Sequence, residues 1–166
     1  MRGGFVALPK AEVHVHLEGC FEIDDIVELA RENRVPLPRP REHLLDFGSG
    51  LGTFLEFLDF ICGLVRTPDQ LAALARRFSE RLAANGTRYA DLIVNPTHWR
   101  YWSRRIPELI DALDAGFAGA EQDGLPNGRI VHQLVAHPIG ARSDRACAIA
   151  QRASSPARGR IVDRRQ

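Results

Sequence analysis

The feature that most constrains this chain is the stretch Val13-His14-Val15-His16-Leu17-Glu18, in which aliphatic and polar residues alternate strictly. Alternation with period 2 is the pattern of a β-strand, because successive side chains leave a strand on opposite faces. One face would then be aliphatic: Val13, Val15 and Leu17. The other would carry His14, His16 and Glu18, spaced roughly 6.5–7 Å apart along the strand. Three polar groups in a row add nothing to packing. Two imidazoles aimed at one point suit a borderline-soft divalent cation such as zinc. Gly19 ends the run and puts Glu18 at the strand's C-terminal mouth. A bare His-x-His is common by chance, so the spacing alone does not decide between a metal pair and a surface pair.

The rest of the chain reads as alternating helix and strand. Phe21 to Asn33 has an apolar stripe of Ile23, Ile26, Val27 and Ala30, with Asp24 and Asp25 in its first turn. Three prolines at 36, 38 and 40 stop it. Glu42 to Phe47 reads as a short helix ended by Gly48-Ser49-Gly50. Gly52 to Leu64 is an amphipathic helix, with Leu51, Phe54, Leu55, Leu58, Ile61, Cys62 and Val65 on one face. Thr67-Pro68 opens another helix that runs to about Ala84, Pro standing at a favoured first position. Tyr89 to Pro96 is apolar enough for a buried parallel strand. His98 follows it and reads as a loop or shell residue rather than a third ligand. Trp99, Tyr101 and Trp102 cluster beside it and are expected to cover a mouth or an interface. Ile106 to Glu121 is a third long helix, and Ile130 to Val135 a possible third strand. Repeated strand and long helix argue for a parallel βα architecture.

Composition excludes several classes. No 18-residue apolar run spans a membrane. The apolar part of Met1 to Ala7 is too short for a secretory signal. Cys20, Cys62 and Cys147 are an odd, scattered set, which points to free thiols in a reducing cytosol. Arg100, Arg104 and Arg105 beside the tryptophans form no wider basic stripe, so nucleic acid is not expected as a partner. Charge is uneven along the chain: residues 1–126 hold 14 Lys and Arg against 19 Asp and Glu, whereas residues 127–166 hold eight Arg against two Asp.

Leu8-Pro9-Lys10-Ala11-Glu12-Val13-His14-Val15-His16-Leu17-Glu18-Gly19 resembles the first barrel strand of the adenosine deaminase family, among the metal-dependent amidohydrolases. The resemblance runs from Leu8 to about Pro126. It implies an α/β fold, the N-terminal part of a (β/α)8 TIM-type barrel with about three strands and their helices. It also implies a purine deaminase, in which zinc-activated water attacks C6 of an adenine ring and ammonia leaves. In the family the histidines matching His14 and His16 bind one zinc ion. The acidic residue matching Glu18, together with His16, contacts the purine nucleoside or nucleobase. Adenosine deaminases proper usually have Asp there, and Glu is more usual in branches that handle adenine or modified purines. Leu51, Phe54, Leu55 and Leu58 resemble the family's hydrophobic gate. Cys20, where Thr or Ser is common, reads as a small buried residue. Another His-x-His metal hydrolase is the alternative, and the Leu-Pro-Lys-Ala-Glu preamble speaks against it.

The family's remaining machinery is absent from this sequence. Neither the His-Ala-Gly-Glu motif, which carries a third zinc ligand and the catalytic Glu, nor the later Asp-Asp-Pro appears. A barrel needs roughly 250 residues. The expectation is therefore an inactive, truncated fragment with no catalytic residue of its own, acting if at all by self-association through exposed barrel edges. Residues 127–166 would be an Arg-rich tail, poorly ordered or frameshifted. High-GC codons for Leu-Ser-Ile-Asp-Gly-Asn, a segment resembling one in relatives, give Val-Asp-Arg-Arg-Gln two bases out of phase, which is how this chain ends.

Overall fold

In the computed structural model the described residues are 8–48 and 50–130. They form three parallel strands and four helices. Strand β1 (Lys10–His16) is followed by a single 3-10 turn, Leu17–Gly19. Helices α1 (Ile23–Glu32), α2 (Leu51–Leu64) and α3 (Pro68–Ala84) lead to β2 (Thr87–Ile93). Helix α4 (Ile106–Gln122) then leads to β3 (Asn127–Ile130). The sheet order is β1-β2-β3, both pairs parallel, with Lys10 opposite Thr87 and His16 opposite Ile93. This is the opening part of a βα barrel. The expected third strand begins three residues earlier than its apolar pattern suggested, and Val131 to Val135 lie outside the described residues.

Helix α3 starts where its cap chemistry places it. The Thr67 hydroxyl accepts from the Gln70 N–H at 3.2 Å, and the Gln70 side chain accepts from the Thr67 N–H at 3.3 Å. That reciprocal pair satisfies two donors the helix leaves free. The inward face of α3, with Leu71, Leu74 and Phe78, packs on Leu109, Leu113 and Phe117 of α4. The two helices approach so closely at Gly116 that a β-carbon there would lie 2.4 Å from the Ala72 carbonyl oxygen. Only glycine permits this crossing.

Helix α1 is tied to α3 by charge. Asp25 is buried and meets Arg77 Nε at 2.6 Å and Arg81 Nη1 at 3.1 Å. Arg81 also donates to the Cys20 carbonyl at 2.5 Å, so the same guanidinium reaches the chain just after β1. A buried carboxylate is tolerated only when its lone pairs are met in this way.

The aromatic cluster after β2 departs from the expectation of a surface cover. Trp99 and Trp102 are fully buried and belong to the core, while Tyr101 is exposed. Each indole N–H finds a buried acceptor: Trp102 donates to the Val65 carbonyl at 2.8 Å. Arg105 then stacks over the Trp102 ring, 4.6 Å from its centroid. Arg105 and Arg100, which pairs with Asp59, are thus used within the fold.

Candidate functional site

Strand β1 does not keep the regular alternation of its sequence. His14 adopts a left-handed backbone, φ 61°, and the β1–β2 register shifts between Glu12 and Val15. A bulged residue in the left-handed region re-aims the side chains around it. The physical result is that Val13, expected on an inner aliphatic face, is 68% exposed, whereas Leu17 is fully buried. The imidazoles of His14 and His16 come together edge-on, with ring centroids 5.4 Å apart. Both are open to solvent.

Glu18 is not a third polar group on the same strand face. It lies in the 3-10 turn and is 1% exposed. Its Oε1 accepts from the Trp99 indole at 2.6 Å and from the Asn95 backbone N–H at 2.7 Å. Its Oε2 is buried, accepts no hydrogen bond from the described residues, and stands 3.7 Å from His16 Nδ1. The site is therefore built from the ends of two adjacent parallel strands, where sites in βα barrels are found. The bonds of Trp99 and Asn95 to Glu18 are not foreseen from the sequence. An indole followed three residues later by a second in a post-strand loop is the signal, and it points equally well to core.

The donor set can be tested against a zinc ion on this geometry. Two neighbouring imidazoles, one with a buried carboxylate beside its second nitrogen, are suitable ligands. They make up half of a four-coordinate sphere, and among the described residues no group of three or more His, Cys, Asp or Glu could hold a metal. The residues present fit as half of the set. His132 and His137 lie outside the described residues.

The gate segment divides in two. Leu58 is buried with Ile61, Cys62, Leu64 and Val65, while Leu51, Phe54 and Leu55 are exposed on the first turns of α2. Phe47 packs against Phe54 and Phe57 at centroid distances of 5.4 and 4.9 Å. The helix is fixed to the loop after β2 through Asp59, which bonds His98 Nδ1 at 2.8 Å and also pairs with Arg100. His98 is thus a shell residue, occupied by Asp59. Cys20 is half-buried and its thiol donates to the His16 carbonyl at 3.3 Å. Burial first, then Glu18, Glu12 and Glu22 against the opposing effect of Arg81, pushes this thiol up to about 12. It is an inert thiol at neutral pH.

With this geometry in hand, likeness to solved proteins is informative. An amidohydrolase from Burkholderia ambifaria with bound Zn superposes with a TM-score of 0.65 at 30% identity, over 77% of this chain and 36% of that one. Fold and site thus define the opening strands and helices of an amidohydrolase-type barrel. The adenosine deaminase family model matches residues 9–153, and the chain belongs to the adenosine deaminase family. Adenosine deaminase 1 of Streptomyces coelicolor is 32% identical over 156 residues, covering 87% of this chain and 39% of the relative. Adenine deaminase of Aspergillus oryzae is 31% identical over 140 residues, covering 78% and 39%. The chain spans 17–39% of the length of the curated relatives to which it is similar.

Proposed function

We propose that these residues belong to a zinc-dependent purine deaminase acting at C6 of an adenine ring. The observation that supports this reading best is the paired imidazoles of His14 and His16 beside the buried carboxylate of Glu18, in a chain of this family. His14 and His16 would hold the cation as neutral ligands. A zinc ion held there supplies an activated water at neutral pH. Glu18 and His16 would meet a polar group of the purine substrate, and the exposed Leu51, Phe54 and Leu55 would exclude water from above it. Similarity to both adenosine and adenine deaminases leaves the substrate class as an adenine ring, and Glu18 in place of Asp favours adenine or a modified purine. The remaining ligands and the general acid would come from outside residues 8–130.

The tail expected from residue 127 gives its first four residues, Asn127–Ile130, to β3 of the sheet, and the remainder lies outside the described residues. Its proposed frameshift falls outside the described residues and is decided by resequencing the gene. We assign the chain to the cytosol, consistent with Cys20 and Cys62, which are free. No helix among the described residues is long and apolar enough to cross a membrane.

The test is zinc binding by calorimetry, with ammonia release from adenosine and adenine measured on the same sample. Weak zinc binding that H14A or H16A abolishes, with no turnover by the 166-residue chain alone, is expected. Failure to bind zinc overturns the metal assignment. Turnover by the isolated chain overturns the view that half the donor set lies elsewhere.

A further inference from the structure

Glu18 is held in an unequal way. Both strong hydrogen bonds, from the Trp99 indole at 2.6 Å and the Asn95 N–H at 2.7 Å, converge on Oε1. Oε2 is equally buried and accepts none, and it stands 3.7 Å from His16 Nδ1. An unmet buried acceptor is costly, so such a group is normally paired. The available donor is the imidazole of His16, whose side chain is 47% exposed and so has room to turn. That ring must turn to bring Nδ1 from 3.7 Å to hydrogen-bond length.

We infer that Trp99 is a positioning residue for His16, acting through Glu18. With Oε1 taken by the indole and the Asn95 amide, Oε2 is fixed as the acceptor for the Nδ1–H of His16. A neutral imidazole carries one proton, so a hydrogen bond from Nδ1 leaves Nε2 unprotonated and able to meet a cation. Oε2 has a second lone pair, which stays available to a substrate donor. The inference rests on the reading of His16 as a metal ligand. Without the clamp, Glu18 could swing either oxygen to either donor, and His16 would choose its tautomer freely.

Trp102 supplies the control. It is as deeply buried as Trp99, lies three residues away, and gives its N–H to the Val65 carbonyl, far in sequence from Glu18. A purely structural role predicts like effects from the two tryptophans.

The experiment is nitrogen-15 NMR of the histidine rings in the full metal-free chain, followed by titration with zinc alone. The wild type is expected to show His16 protonated at Nδ1. W99F should move the proton to Nε2 and weaken zinc binding by about 10- to 100-fold. W102F should change neither. The inference is overturned by a wild-type His16 protonated at Nε2, by a folded W99F that keeps the wild-type tautomer, or by W102F acting as W99F does. E18Q, which keeps the shape and removes the acceptor, covers the case in which W99F does not fold: an unchanged tautomer there also overturns it. A tautomer that responds as expected in a chain that binds no zinc sustains the positioning role and removes the metal reading instead.

Discussion

The layer formed by α3 and α4 and the mouth formed by β1 and the start of α2 are built to different standards. In the first, Leu71, Leu74, Phe78, Leu109, Leu113 and Phe117 meet with nothing exposed, and Gly116 lets the backbones touch. In the second, Val13, Leu51, Phe54, Leu55 and two histidines face solvent. The helices that would form a barrel's outer ring have found their partners within residues 8–130. The surfaces that would face its interior and its neighbouring strand have not. Stability resides in the outer layer and chemistry in the open mouth, which is the division βα barrels show generally.

That contrast can be broken at its strong side. L113A, in the centre of the α3–α4 contact, should cost about 2–5 kcal/mol by denaturant unfolding, since it removes a fully buried side chain and leaves a cavity. D25A should cost about 3 kcal/mol, because it leaves the partly buried guanidinium groups of Arg77 and Arg81 facing each other without their carboxylate. A loss under 1 kcal/mol in either would mean that the outer layer is not the stable part.

A smaller effect sharpens the boundary between layer and mouth. Cys20 lies on it, with a folded-state pKa raised to about 12 against roughly 8.5 for an unfolded thiol. Above pH 8.5 the unfolded chain releases a proton that the folded chain keeps. Stability should therefore be level below pH 8.5 and fall steadily from there towards pH 12. Unfolding midpoints at pH 8 and pH 10 measure this, and C20S should reduce the slope, leaving the part that burial of the Cys62 thiol supplies. At the weak side, L51S should change stability by less than about 0.5 kcal/mol. Leu51 is exposed on the first turn of α2, away from the packed layer, and chemical denaturation of L51S beside the wild type measures this.

The helices were legible in the sequence because their signals are local. Thr67-Pro68 with Gln70 marks the start of α3, and the three-four spacing of Leu71, Leu74, Phe78 and Leu82 gives its inner face. The parallel βα order followed from those elements and their lengths. The site was legible as residues and misread as geometry. Strict alternation at Val13 to Glu18 predicts one regular strand, yet the left-handed turn at His14 depends on pairing with β2 and has no local cue. The clamp on Glu18 was invisible for the same reason: its donors lie 77 and 81 residues further along. The indole cluster is legible as a cover for a mouth or an interface, whereas the acceptors that bury it, the Glu18 carboxylate and the Val65 carbonyl, can be found only in three dimensions.

The pairing of His16 with Ile93 has a consequence in time as well as in space. β1 leaves the ribosome well before it can settle, because its neighbour β2 is made only after three intervening helices. Parallel contacts that close such long loops are slow to form. Until β2 arrives, the segment with the two histidines is a short strand with no sheet to join, open to any passing strand edge. The portion of the molecule best suited to chemistry is thus the portion most exposed during synthesis. Its histidines can be set side by side only after the helices have done the work of folding.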